Sequence, residues 1–145
     1  MSIKLKHGLW VIVADGEKAL FLRNQGDNKF PNLEVVHAME QENPATREQG
    51  TDKPGRYSEG ARSAIEETDW HRLGKERFAV DIADRLYKLA HRGEFDAVVL
   101  IAPPRVLGEM RQKLHKEVGD KVQAEIPKTL TNHTISDIET LLQAA

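Results

Sequence analysis

The 145-residue chain contains no cysteine, which removes disulfides, thiolate nucleophiles, cysteine-ligated zinc and iron–sulfur clusters in one step. Aromatic residues are sparse at 6%, and no apolar run approaches the roughly 20 residues needed to span a bilayer. The stretch Met-Ser-Ile-Lys-Leu-Lys-His at the start lacks the apolar region of a secretory signal, so a soluble cytoplasmic protein with no membrane association is expected. An excess of either charge is missing too. The 21 Lys and Arg set against 23 Asp and Glu leave a formal charge of −2, so a polyanion could be met only by a local patch. There is no GxGxxG after a strand, no GxxxxGKS or GxxxxGKT, and no GxSxG elbow; neither a nucleotide cofactor nor a serine nucleophile is expected.

What is present is the composition of a folded domain, 39% hydrophobic and 30% charged, at a length near the commonest for one core. A single domain over residues 1–145 follows. The run Leu9 to Ala14 is apolar and β-branched, short enough for a strand buried on both faces. Asp15-Gly16 suits the positive φ angles of a tight hairpin turn, and Lys18 to Arg23 resumes as the antiparallel neighbour. After a turn-rich stretch, Leu33 to Met39 supplies a third strand and completes a meander.

Residues 42–70 are polar, with Pro44, Gly50, Pro54, Gly55 and Gly60, and read as a long loop, a length of connection that is usually functional or disordered. From Gly74 the apolar positions Phe78, Ala79, Ile82, Ala83, Leu86, Leu89 and Ala90 recur at helical spacing, and Gly93 stops that helix. Asp96 to Ala102 is a second buried strand, ended by Pro103-Pro104. Val106, Leu107, Met110 and Leu114 stripe a further helix, Lys121 to Ile126 forms an outer strand, and Thr134 caps a last helix with Asp137 at the third position. The expected fold is α/β: one three-layer domain on a five-stranded mixed sheet, an antiparallel meander followed by helix–strand units, as in ribonuclease-H-like folds.

Candidate chemistry is thin. Asp15 and Asp96, at strand ends, are carboxylates of the kind that can hold a divalent ion, but turn chemistry accounts for both and no metal ligand is assigned. The six histidines show no HExxH and no close pairing. His71, beside Trp70 and Arg72, fits a helix start capped by Thr68 or Asp69 with Trp70 stapled onto the core. In the long loop Arg47, Lys53, Arg56, Arg62 and Arg72 are offset by neighbouring acids. Within it Lys53-Pro-Gly-Arg56-Tyr57 sets a guanidinium that can pair with phosphate beside a ring that can stack on a base. Arg105 and Arg111 give the second helix region a mildly positive face able to approach an RNA backbone.

The hairpin Trp10-Val-Ile-Val-Ala-Asp15-Gly-Glu-Lys-Ala-Leu-Phe-Leu, the Gly55-Arg56 with Ser58, and Ala102-Pro103-Pro104-Arg-Val-Leu107-Gly108 before a helix together resemble the bacterial host attachment protein family. That family is grouped with bacterial relatives of the middle domain of archaeal and eukaryotic release factors and of the ribosome-rescue factor Pelota. The resemblance implies a fold like that middle domain and a translation-linked role, with ribosome or tRNA as partner and Arg47, Lys53, Arg56, Tyr57, Arg62, Arg72, Arg105 and Arg111 as contact residues. Release factors cleave peptidyl-tRNA through a Gly-Gly-Gln loop, and this chain has none, so no catalytic residue is assigned. The family's name implies an alternative, a non-enzymatic factor that binds a protein partner and acts indirectly in attachment to host cells.

Overall fold

A computed structural model describes residues 3–41 and 60–144, following 60–73, 75 and 76 along the backbone. Its elements are β1 (Trp10–Ala14), β2 (Lys18–Asn24), β3 (Leu33–Glu40), α1 (Gly60–His91), β4 (Val98–Ile101), α2 (Pro104–Lys113), α3 (Lys116–Gly119), β5 (Val122–Ile126) and α4 (Ile135–Ala144). The strands make one mixed sheet in the order β3-β2-β1-β4-β5. The meander, the central place of β1 and the outer place of β5 are as the sequence pattern requires.

Strand β1 is buried along its whole length, antiparallel to β2 with Trp10 opposite Arg23 and Ala14 opposite Ala19, and parallel to β4 with Trp10 beside Val98. A parallel neighbour needs a crossover, which α1 provides. Alternation then divides the core. Trp10, Ile12, Ala14, Phe21 and Leu100 pack with Phe78, Ile82 and Leu86 of α1. Val11, Val13, Leu22, Val99 and Ile101 pack on the other face with Ile138 and Leu142 of α4. Burial on both faces explains why β1 and β4 read as unbroken apolar runs instead of alternating ones.

Three local features depart from the sequence pattern. Helix α1 begins at Gly60, not Gly74, so residues 60–70 are helical instead of loop, and Thr68, Asp69 and Trp70 lie inside the helix and not at its start. Gly74 is a tolerated interior glycine whose missing Cβ leaves room for the side-chain amide of Gln41, so the helix passes close to the end of β3 there. The β1–β2 turn does not use a positive φ at Gly16; among the described residues only Gly8 and Gly93 have one. Asp15 closes that turn with its side chain, Oδ1 accepting from the backbone N–H of Glu17 at 2.7 Å and of Lys18 at 2.8 Å, the Asx geometry that replaces backbone strain with a hydrogen bond. Finally, the short helix α3 interrupts the stretch between α2 and β5; His115 caps it by accepting from Glu117 N–H at 3.0 Å.

Two endings match expectation. Gly93 takes φ 75° just past α1, and Thr134 Oγ1 accepts from Asp137 N–H at 3.1 Å at the start of α4. Among the described residues no helix is long and apolar enough to cross a membrane.

Candidate functional site

Strands β1, β3, β4 and β5 point the same way, so their carboxyl ends, at Ala14, Glu40, Ile101 and Ile126, share one edge of the sheet. From that edge the chain leaves β4 toward α2 on one face and β5 toward α4 on the other. In open α/β sheets, the crevice outside the carboxyl ends, where successive connections diverge to opposite faces, is where ligands are held. Here it is bordered by the Asp15 turn, by Ala102-Pro103-Pro104 and by the segment from Pro127 to His133.

The border is pinned by Asp15. Its Oδ2 accepts a hydrogen bond of 2.7 Å from the hydroxyl of Thr131, 116 positions along the chain, and Lys18 Nζ donates to Asn132 Oδ1 at 2.9 Å. Thr131 is buried, 6% exposed. Burial pushes the Asp15 carboxyl up, but the Thr131 hydroxyl, the amides of Glu17 and Lys18 and the Lys18 charge outweigh it and hold the group below its ordinary range, as expected for a carboxylate that accepts several hydrogen bonds. With its oxygens engaged in this way, Asp15 is a structural latch. Asp96 lies exposed before β4, and among the described residues no cluster of three or more His, Asp or Glu could hold a metal ion.

At the same edge α2 starts with Pro103 and Pro104, without a side-chain cap and without an acidic residue in its first turn. Arg105 stands there, 68% exposed, with Nε 3.5 Å from Glu109 one turn on. Arg111 points elsewhere. Six residues further along a helix is about 120° around its axis, and its guanidinium binds Glu125 of β5, Nη2 donating at 2.5 Å and Nε at 3.4 Å. That hydrogen bond, with the Glu125 charge, raises the Arg111 pKa. The two arginines therefore do not form one positive face, and each already has an acid beside it.

Arg62 and Arg72 lie on α1, about 15 Å apart along its axis. Because α1 passes Gln41 at Gly74, its residues 60–73 continue about 21 Å beyond the carboxyl edge at 1.5 Å per residue. Arg47, Lys53, Arg56 and Tyr57 lie outside the described residues. Sequence reasoning missed the Thr131 and Asn132 contacts; the polar run Thr129 to Thr134 after Pro127 was the available signal.

The fold and this edge define a class: a mixed α/β domain with a latched carboxyl edge and a long helix leaving past it. The chain belongs to bacterial archaeo-eukaryotic release factor family 12, whose family model matches residues 8–142. That match carries the release-factor part of the expected resemblance and nothing in it supports attachment to host cells. A solved structure, the crystal structure of the archaeal translation termination factor aRF1, is similar at 12% identity with a TM-score of 0.49, over 94% of this chain and 36% of that one. The chain thus spans little more than a third of that factor's length. No curated protein matches.

Proposed function

We infer that the protein is a cytoplasmic, translation-linked factor that associates with ribosomal RNA or tRNA through the carboxyl edge of its sheet, without hydrolytic chemistry of its own. The observation that carries this reading is membership of the release factor family across residues 8–142. The fold supports it in one respect: Lys18, Arg105 and Lys128 border the carboxyl edge, and Arg62, Arg72 and the segment holding Arg47, Lys53, Arg56 and Tyr57 all belong to the chain that leaves from it. A single domain over residues 1–145 would then present one contact surface. Arg111, turned to Glu125, is the weakest member of the set, and Arg105 must exchange Glu109 for phosphate. The absence of Gly-Gly-Gln from the sequence is the reason for a binding role instead of peptidyl-tRNA cleavage.

Co-sedimentation with ribosomes at low and moderate salt, comparing wild type with Arg56→Ala and Arg105→Ala, tests the reading. Phosphate contacts release counterions, so binding should weaken steeply with salt and fall in the variants. No sedimentation at either salt refutes it and leaves a protein partner as the alternative.

A further inference from the structure

A second group of polar side chains lies away from the carboxyl edge, reaching from the amino end of β1 at Trp10 to its middle, where His37 is level with Ile12 through Phe21. Trp10, Arg23 and His37 stand on one face of three successive strands: Trp10 is opposite Arg23, and His37 is opposite Phe21, whose ring it meets edge-on at 5.4 Å. This is the face covered by α1. From α1, Arg85 comes close enough that its charge, after burial, lowers the His37 pKa.

The polar atoms of this group are unsatisfied. Trp10 is 5% exposed, and its Nε1, together with Arg23 Nε and His37 Nε2, is buried without a hydrogen-bond partner among the described residues. Buried N–H groups almost always have partners. The Trp10 indole and Arg23 Nε are donors and the His37 nitrogen is a donor in one tautomer, so the face is short of an acceptor among the described residues. Acids do not fill the role: Glu34 is opposite Arg23 in register and Asp81 is one turn before Arg85, yet both are exposed. Among the described residues neither Arg23 nor Arg85 makes an ion pair with them.

We propose that Trp10, Arg23, His37 and Arg85 form a binding site for a phosphate group. Two guanidinium groups, one on β2 and one on α1, match a phosphate's charge, and each presents its donors in a planar fork suited to phosphate oxygens. The indole N–H is a pure donor and discriminates against cations. Arg23, His37 and Arg85 are each half-buried, which leaves their outer parts in reach of solvent while the inner nitrogens are dry. This phosphate is either free, on a small molecule, or part of an RNA backbone.

The test is a titration of the full chain with inorganic phosphate at constant ionic strength, followed by NMR at the Trp10 indole N–H and the His37 ring. A saturable shift of the indole signal and a rise in the His37 pKa are expected, because an anion among these groups favours the imidazolium. Arg23→Gln should weaken binding about tenfold or more, the equivalent of one charge-assisted hydrogen bond, while Arg85→Lys retains most of it. Unchanged dispersion of the amide spectrum shows that a variant is folded. If a short single-stranded RNA shifts the same signals at lower concentration than phosphate, the backbone is the source; if phosphate alone shifts them, a small molecule is. Absence of a saturable shift up to tens of millimolar phosphate, with the protein folded, overturns the site. Ribosome co-sedimentation is read separately and can fail without touching this result.

Discussion

Replacing Thr131 with valine removes one hydroxyl while nearly keeping the shape, and its effect should depend on pH in a defined direction. The hydroxyl donates to Asp15 Oδ2 at 2.7 Å, and it joins the Pro127–His133 segment to the β1–β2 turn. A hydrogen bond to a charged group contributes about 1.5–3 kcal/mol, and because water reaches Asp15 the lower part of that range applies, about 1.5–2 kcal/mol. At this chain length that is a fall in Tm of about 5–7 °C. Asp15 has a lowered carboxyl pKa in the folded state, so its contribution is present above the ordinary value of 3.8 and is lost as pH falls through the folded value. The gap between wild type and Thr131→Val, read from thermal melts across a pH series, should therefore be full at neutral pH and close in acid below that ordinary value. Thr131→Ser, which keeps the donor, should stay near wild type. A gap that is absent at neutral pH, or that does not close in acid, refutes the latch.

Other substitutions test other parts of the fold. Leu86→Ala, at a fully buried position against the sheet, should cost about 2–5 kcal/mol in denaturant unfolding; a cost under about 1 kcal/mol would mean that α1 does not hold this face. Gly93→Ala places a Cβ at φ 75° and should cost about 1–2 kcal/mol although nothing lies within 4 Å of that Cβ, the penalty being that of a left-handed backbone. His37 has a lowered pKa, so the unfolded chain binds its proton more readily and wild-type stability should drop as pH falls below 6.5; His37→Gln should flatten that part of the stability curve. Arg111→Ala breaks an exposed ion pair and should leave the thermal melt almost unchanged, because solvent screens such pairs.

The sheet was legible because its signals are local. Leu9 to Ala14 and Asp96 to Ala102 carry burial on both faces in their composition, and proline or glycine marks their ends. The start of α1 was not legible. From Gly60 to Leu73 the large apolar residues are only Ile65, Trp70 and Leu73, too few to set a helical repeat, so the periodicity that betrays Phe78 to Ala90 fades. Gly74 then looked like a beginning, when it is the point at which the helix slides past Gln41.

Sites assembled across the chain follow a different logic. Asp15 announced a turn by residue type alone, but Thr131 is 116 positions away and nothing in its own neighbourhood names a partner. Arg105 and Arg111 looked like one positive surface because they are close in sequence; six residues of helix turn them apart and give each its own carboxylate. Trp10, Arg23 and His37 looked like unrelated residues of three strands, and only strand register places them on one face. Residue type thus indicates what a side chain can do, whereas sheet order decides which side chains do it together. In this fold it sets apart a carboxyl edge whose acid is latched by hydrogen bonds and a face under α1 where, among the described residues, the buried nitrogens of Trp10, Arg23 and His37 have no partner.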